Sequence, residues 1–194
     1  MTGILKFIIS IPQILINHIT IYYRNVNYEE FPKIYGILSI RGSGRLEFGK
    51  NIIINSCYSS NPVGLAIKTA FYLSPDSEII IGENVGISNT LFYSKIKIIV
   101  EKNVLIGGGC QIYDSDFHSI EYNERIFKGD NAVKIAPVII REGAFIGASV
   151  IILKGVVIGK RSVIAAGSVV TKSVPDDEIW GGNPAVFIRN IKAN

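Results

Sequence analysis

The stretch PVIIREGAFIGASVIILKGVVIGKRSVIAAGSVVTK, Pro137 to Lys172, decides the fold, because it repeats itself every six residues. Ile140, Ile146, Ile152, Ile158, Ile164 and Val170 follow one another at that spacing without a slip, and Ala144, Val150, Val156, Ser162 and Ser168 recur four residues after the first five. Gly147, Gly159 and Ala165 stand directly after three of the aliphatic positions. A helix returns to the same face every 3.6 residues and a strand every 2, and neither rule produces this pattern. A coil of three flat faces does. Each hexad is one short strand and one corner, the aliphatic residue points into a narrow prism, and it stacks on its equivalent one coil away. Such stacking favours β-branched side chains of uniform size. The second inward position stays small because the prism is tight, and Gly or Ala lets the backbone turn. Coils of this kind are left-handed, against the usual hand of parallel crossovers.

Working outward, the same spacing recurs in shorter runs: Val100, Ile106 and Ile112; Ile81 and Ile87; Phe48 and Ile54. These runs are out of phase with one another, so loops interrupt the prism. The expected fold is therefore all-β, a left-handed parallel β-helix of hexapeptide repeats over residues 36–174. Insertions are expected at about 56–77 and 113–137. An N-terminal helical cap segment occupies 1–35, and a C-terminal extension occupies 175–194. Sandwich strands would instead alternate with period two between regular turns.

The N-terminal stretch MTGILKFIISIPQILINHITIYY is apolar but carries Lys6, Pro12, Gln13, Asn17 and His18. No uninterrupted run approaches the about 20 apolar residues that a membrane span needs, and no small-residue cleavage site follows. A helix, or two broken near Pro12, is expected to cover the open end of the coil or to rest on a membrane surface.

Composition narrows the function. Across 194 residues the hydrophobic share is 48%, the charged share 19% and the net charge +4, without a Lys/Arg run. That excludes disorder and gives no basic stripe for nucleic acid, while a mildly basic surface suits an anionic small ligand. Cys57 and Cys110 show neither disulfide-framework nor metal-ligand spacing, as free thiols in a reducing cytoplasm would. The expected location is cytoplasmic, at the inner membrane surface if the N-terminal segment rests there.

Only two histidines are present. His18 lies in the apolar N-terminal segment and reads as structural. His118 lies in YDSDFHS, Tyr113–Ser119, among polar residues in the longest break of the repeat. A regular coil wall is dry, so chemistry hangs from its loops. An imidazole near neutral pKa suits removal of a proton from a hydroxyl nucleophile. Asp116 and Asp114 are candidates to orient that ring, with Glu121 weaker; Asp116, two residues away, points to the same side of an extended loop.

The phased hexads, the YDSDFHS loop and the ending GSVVTKSVPDDEIWGGNPAVFIRNI together resemble the hexapeptide-repeat acyltransferases, in particular the maltose, galactoside and polysaccharide O-acetyltransferases. The likeness runs from about Leu46 to the C-terminus. It implies an acyl-CoA-dependent O-acetyltransferase with acetyl-CoA as co-substrate and no metal. A loop histidine, matched by His118, acts as general base in direct transfer within a ternary complex. It further implies that Asn89 contacts acceptor or acetyl group. Ala148 and Ala166 line the pantetheine arm, and Thr171, Lys172 and Arg189 meet the nucleotide end. A homotrimer with sites between subunits is implied as well. Phe145 stands where relatives often carry Trp, and Arg141 fills a corner slot usually smaller or acidic. The expected acceptor is a small-molecule or glycan hydroxyl, with an antibiotic, a serine hydroxyl or a nucleotide-sugar amine as alternatives. A zinc enzyme on this fold would need three histidine ligands, and a non-catalytic assembly module would not need His118 with Lys172 and Arg189.

Overall fold

In the computed structural model, which describes residues 3–64, 67–129 and 133–191, the chain winds as a left-handed parallel β-helix. Residues 1–2, 65–66, 130–132 and 192–194, at the ends and inside both expected insertions, lie outside the described set. Three sheets of six, eight and six strands form the faces of the prism. The first runs through Asn27–Tyr28, Arg45–Phe48, Glu78–Ile81, Lys97–Val100, Val138–Ile140 and Val157–Ile158. The second begins at Lys33–Gly36 and ends in an antiparallel hairpin of Glu178–Gly182 with Ala185–Asn190. The third runs from Ser39–Gly42 to Val169–Val170. Strands adjacent in a sheet are a full coil apart in sequence, so nearly all pairing is parallel.

Register turns the sequence repeat into vertical stacks. On the first sheet Phe48, Ile81, Val100, Ile140 and Ile158 lie one above the other. On the second the stack is Ile34, Ile54, Ile87, Ile106, Ile146, Ile164 and finally Trp180. On the third it is Ile40, Phe71, Phe92, Ile112, Ile152 and Val170. All except Ile34 and Trp180 are buried. Each such side chain contributes about 1.5–3 kcal/mol by leaving water, so the stacks carry the fold. Phe71 and Phe92, both buried, stack face to face with centroids 4.9 Å apart.

The prism starts earlier than the hexads indicate. Strands at Asn27–Tyr28 and Lys33–Gly36 fall inside the segment expected to be the cap, and Ala70–Leu73 falls inside the first expected insertion. Tyr28, Ile34 and Ile40 do stand six residues apart, but Phe71 is ten residues from the next stacking position, Ile81. Before the prism, α1 (Gly3–Tyr23) is a single helix with Pro12 inside it, and it buries Asn17 and Ile21 against the first coil. At the other end Trp180 continues the second stack and the hairpin folds back over it.

Corners need unusual backbone. Asn51, Asn84 and Asn103 all take positive φ at the corner between first and second sheets, and their amides join in a ladder at 3.1 Å steps. Further along that corner Arg161, also at positive φ, is held by Asp177, which raises the guanidinium pKa and lowers that of the carboxyl through their hydrogen bonds.

Candidate active site

The long break in the repeat leaves the third sheet after Tyr113 and rejoins the first sheet at Val138. Its neck is a short antiparallel closure. Asp116 N donates to Lys134 O at 3.1 Å, Ala136 N donates to Asp114 O at 3.0 Å, and Ser115 bridges Ile135. Asp114, fully buried, fixes the base of the neck. Its Oδ2 accepts from Ser94 Oγ at 2.7 Å, Ile96 N at 2.9 Å and Lys97 N at 2.8 Å, and its Oδ1 accepts from Lys95 N at 2.7 Å. The corner Ser94–Lys97 one coil away thus spends its N–H groups on one carboxylate. Asp114 is a structural anchor, and its oxygens are turned away from the role of orienting an imidazole.

Above the neck, Phe117 adopts φ +64° and its N–H donates to Ser115 Oγ at 3.1 Å. His118 follows, exposed, with its N–H donating to Asp116 O at 2.7 Å. The tight turn at Phe117 presents consecutive side chains to different sides. The Phe117 ring packs on Tyr93 and Tyr113, at centroid distances of 4.6 and 5.0 Å, so His118 is carried on a loop clipped to the prism wall by an aromatic ring. The Asp116 carboxylate pairs with Lys154 Nζ at 2.5 Å, and Lys154 sits on the next corner down. Beyond His118, Arg125 of a short helix α2 (Tyr122–Phe127) donates to Ser119 O at 2.6 Å. That bond folds the loop onto itself while Ile120, Tyr122, Ile126 and Phe127 stay exposed.

Beside the loop the third sheet is concave. Ile67, Lys68, Ala70, Tyr72, Leu91, Tyr93, Tyr113 and Phe117 line a cleft of about 380 Å³. Tyr72, Tyr93 and Tyr113 occupy equivalent outward positions on successive coils. On the adjoining corner, Ile67 of this lining is met by Asn89. This residue is fully buried at positive φ, its Nδ2 donates to Ile67 O, and its Oδ1 is buried without a hydrogen-bond partner among the described residues. The repeat pattern did not reveal the tyrosine column, because outward positions carry no periodic signal; the triplet spacing became visible only once the register was known.

The topology sorts the remaining candidates by edge. Asn89, Ala148 and Ala166 all lie on the corner between second and third sheets, one above another. Coils there are in close contact: Gly167 N donates to Ala148 O at 2.8 Å, and a Cβ on Gly147 would lie 2.6 Å from Ala166 N. Thr171 and Lys172, both exposed, fall on the opposite edge of the third sheet, the edge from which the His118 loop leaves. Arg189 is exposed on the terminal hairpin opposite Ile179, and its Nη1 donates to Asn190 O at 3.2 Å. One chain therefore holds His118 and the Ala148/Ala166 edge on different sides of the third sheet. His18 stacks on Phe31 at 3.9 Å and its Nδ1 bonds Ile14 O at 2.8 Å, a structural setting. No group of three or more His, Cys, Asp or Glu among the described residues is placed to hold a metal ion.

Residues 137–172 match the family of bacterial transferase hexapeptide proteins (six repeats). A hexapeptide-repeat containing acetyltransferase of Vibrio cholerae, solved with acetyl-coenzyme A, is 35% identical over 63% of this chain and 66% of its own, with a TM-score of 0.57. A second structure of that protein gives 33% identity, 63% and 72% coverage and a TM-score of 0.55. A maltose O-acetyltransferase of Clostridium difficile is 27% identical over 80% of this chain and 71% of its own, at a TM-score of 0.59. A galactoside acetyltransferase solved with coenzyme A is 30% identical over 63% and 60%, at 0.55. The chain thus spans about two thirds of the length of these relatives. No curated protein matches it.

Proposed function

Because the chain belongs to the hexapeptide-repeat acetyltransferases, we propose that it moves an acetyl group from acetyl-CoA to a hydroxyl of a sugar or polysaccharide precursor, with His118 as general base. The observation that carries this reading is the loop itself: the longest break in the coil is clamped at its neck by Asp114 and carries His118 directly after Phe117, whose ring lines a tyrosine-rich cleft. Aromatic faces suit a pyranose ring, which offers C–H groups to a π surface while its hydroxyls remain free. His118 takes the hydroxyl proton as the acceptor oxygen attacks the thioester carbonyl. The C–S bond breaks, and the proton passes to the departing thiolate. A thiolate already leaves well, so no acyl-enzyme is required and both substrates are bound together.

The Ala148–Ala166 edge supports a pantetheine site, since small side chains and close-set coils leave an open ledge of backbone groups for its amides. Thr171, Lys172 and Arg189, all exposed, suit the phosphates. Asn89 Oδ1, buried without a hydrogen-bond partner among the described residues, supports contact with the bound acceptor or acetyl group. Asp116, paired with Lys154, steadies the His118 turn through its backbone carbonyl.

A homotrimer with sites between subunits is part of the same reading, and the placement of these groups supports it. His118 and the Ala148/Ala166 edge sit on opposite sides of the third sheet, so a neighbouring chain is the natural source of the ledge beside each histidine. The exposed Ile120, Tyr122, Ile126 and Phe127 of the loop suit burial against that neighbour. A cytoplasmic setting agrees with Cys57 and Cys110, both free. The test is a free-thiol release assay with acetyl-CoA across a panel of sugars, amino acids and aminoglycosides. Turnover with sugar hydroxyls supports the reading; turnover only with amines, or with none of the panel, rejects the acceptor class.

A further inference from the structure

We infer that α1 and the arginine-lined hollow at its C-terminal end form a docking surface for an anionic phospholipid bilayer. The inference does not depend on the acetyl-transfer reading. The Asn17 side chain is buried, donating from Nδ2 to Gly36 O at 2.9 Å and accepting from Leu38 N at 3.1 Å through Oδ1, and Ile21 is buried beside it. These contacts fix which side of α1 faces the prism. Ile11, Ile14, Leu15, Ile16, Ile19, Tyr22 and Tyr23 lie outside that contact, with Leu15 59% and Tyr23 80% exposed. An apolar surface of this size, rigidly presented, marks an interaction site.

Charge selects the occupant. Lys6 and Arg24 are the charged residues among the first 28, and the first carboxylate is Glu29. Where α1 ends, Ile19, Thr20, Tyr23, Arg24, Leu38, Ser39, Ile40 and Arg41 line an open hollow of about 360 Å³. Arg24 donates to Gly42 O at 3.4 Å and the Arg41 guanidinium lies 5.6 Å over the Tyr72 ring; neither meets a carboxylate among the described residues. The acids nearest in sequence are engaged on the next coil, Glu29 with Lys50 Nζ at 3.7 Å and Glu30 with Asn51 N at 3.3 Å. Two guanidinium groups free of carboxylate, next to exposed isoleucines and two tyrosines, match the layering of a membrane interface: phosphate at the arginines, aromatic rings at the headgroups and aliphatic side chains in the acyl region. No described helix is long and apolar enough to cross a membrane, and Asn17 ties α1 to the prism, so the helix lies along the surface.

The test is flotation of the full chain with vesicles of phosphatidylcholine alone and of phosphatidylcholine mixed with phosphatidylglycerol, each at low and raised salt. The wild type is expected to float with the mixed vesicles at low salt and to stay behind with phosphatidylcholine alone. Arg24→Gln is expected to weaken binding to the mixed vesicles about fivefold, the worth of one basic residue near an anionic surface. The double variant Ile11→Glu/Leu15→Glu is expected to lose flotation while keeping its melting temperature and its solution mass. Absence of wild-type flotation with the mixed vesicles, or unaltered binding of the double variant, overturns the inference. A fall in solution mass in the double variant also overturns it, because a second copy would then be what covers the helix.

Discussion

Replacing Asp114 with alanine should cost far more stability than its position in a loop suggests. The carboxylate accepts four hydrogen bonds, from Ser94 Oγ and the backbone N–H groups of Lys95, Ile96 and Lys97, and no part of the residue is exposed. A hydrogen bond to a charged acceptor contributes about 1.5–3 kcal/mol. Water entering the vacated space would satisfy some of the four donors and bring the net loss to about 4–6 kcal/mol. For a chain of this size that corresponds to a fall in melting temperature of about 8–24 °C. Asp114→Asn keeps one oxygen for the Oδ2 partners but turns an N–H₂ toward Lys95 N, two donors face to face, and should lose about 1–3 kcal/mol. Melting followed by circular dichroism at fixed protein concentration reads both values. The Asp114→Ala protein should also transfer acetyl groups poorly at temperatures where it is still folded, because the neck no longer holds the His118 turn. If Asp114→Ala melts within two or so degrees of the wild type, the carboxylate does not clamp the neck and the structural account of the loop fails.

Close packing of the coils predicts that Gly147→Ala is destabilising although it adds only a methyl group. That carbon would lie 2.6 Å from Ala166 N and 2.8 Å from Ile164 O, and denaturant titration should show a loss of about 1–3 kcal/mol. The thiols should differ sharply. Burial pushes Cys110 up to about 11, while at the partly exposed Cys57 the effect of burial is outweighed by hydrogen bonds with Ser59 and Ser60, which lower its pKa. Native protein treated with a maleimide near pH 8 should carry one adduct, at Cys57, by mass spectrometry; fast labelling of Cys110 would contradict the packing. Lys172→Ala and Arg189→Ala should each weaken acetyl-CoA binding by about 1–3 kcal/mol in calorimetric titration. Unchanged binding in both would move the nucleotide site elsewhere.

Much of this was legible in the sequence because inward positions obey one rule. Wherever a coil has its full complement of residues, the stacking positions recur at six, and Ile140 to Val170 announce the prism without help. The rule fails where corners shrink or grow. Ile87 and Phe92 stack on neighbouring faces although they are only five positions apart, since Asn89 and Thr90 alone turn that corner. Phe71 does the work of an isoleucine inside a segment that looks unlike the repeat. The strands at 27–36 are hidden by the apolar helix before them. Outward residues follow no rule, so the tyrosine cleft and the exposed side of α1 needed the fold to be seen. His118 could be singled out because a polar loop histidine has few structural uses. Asp114 and Asp116 looked equivalent in YDSDFHS, and only their hydrogen bonds, to the corner Ser94–Lys97 and to Lys154, separate an anchor from a loop brace.

His118 carries the central claim, and steady-state transfer by His118→Ala tests it most directly when paired with acetyl-CoA titration of the same variant. With the acceptor that gives the best wild-type turnover, kcat should fall by about 10²–10⁴, the range for loss of a positioned general base, while the dissociation constant for acetyl-CoA stays within a few fold. A variant that keeps near-normal kcat would contradict the account, since the loop would then hold a histidine that the reaction does not use.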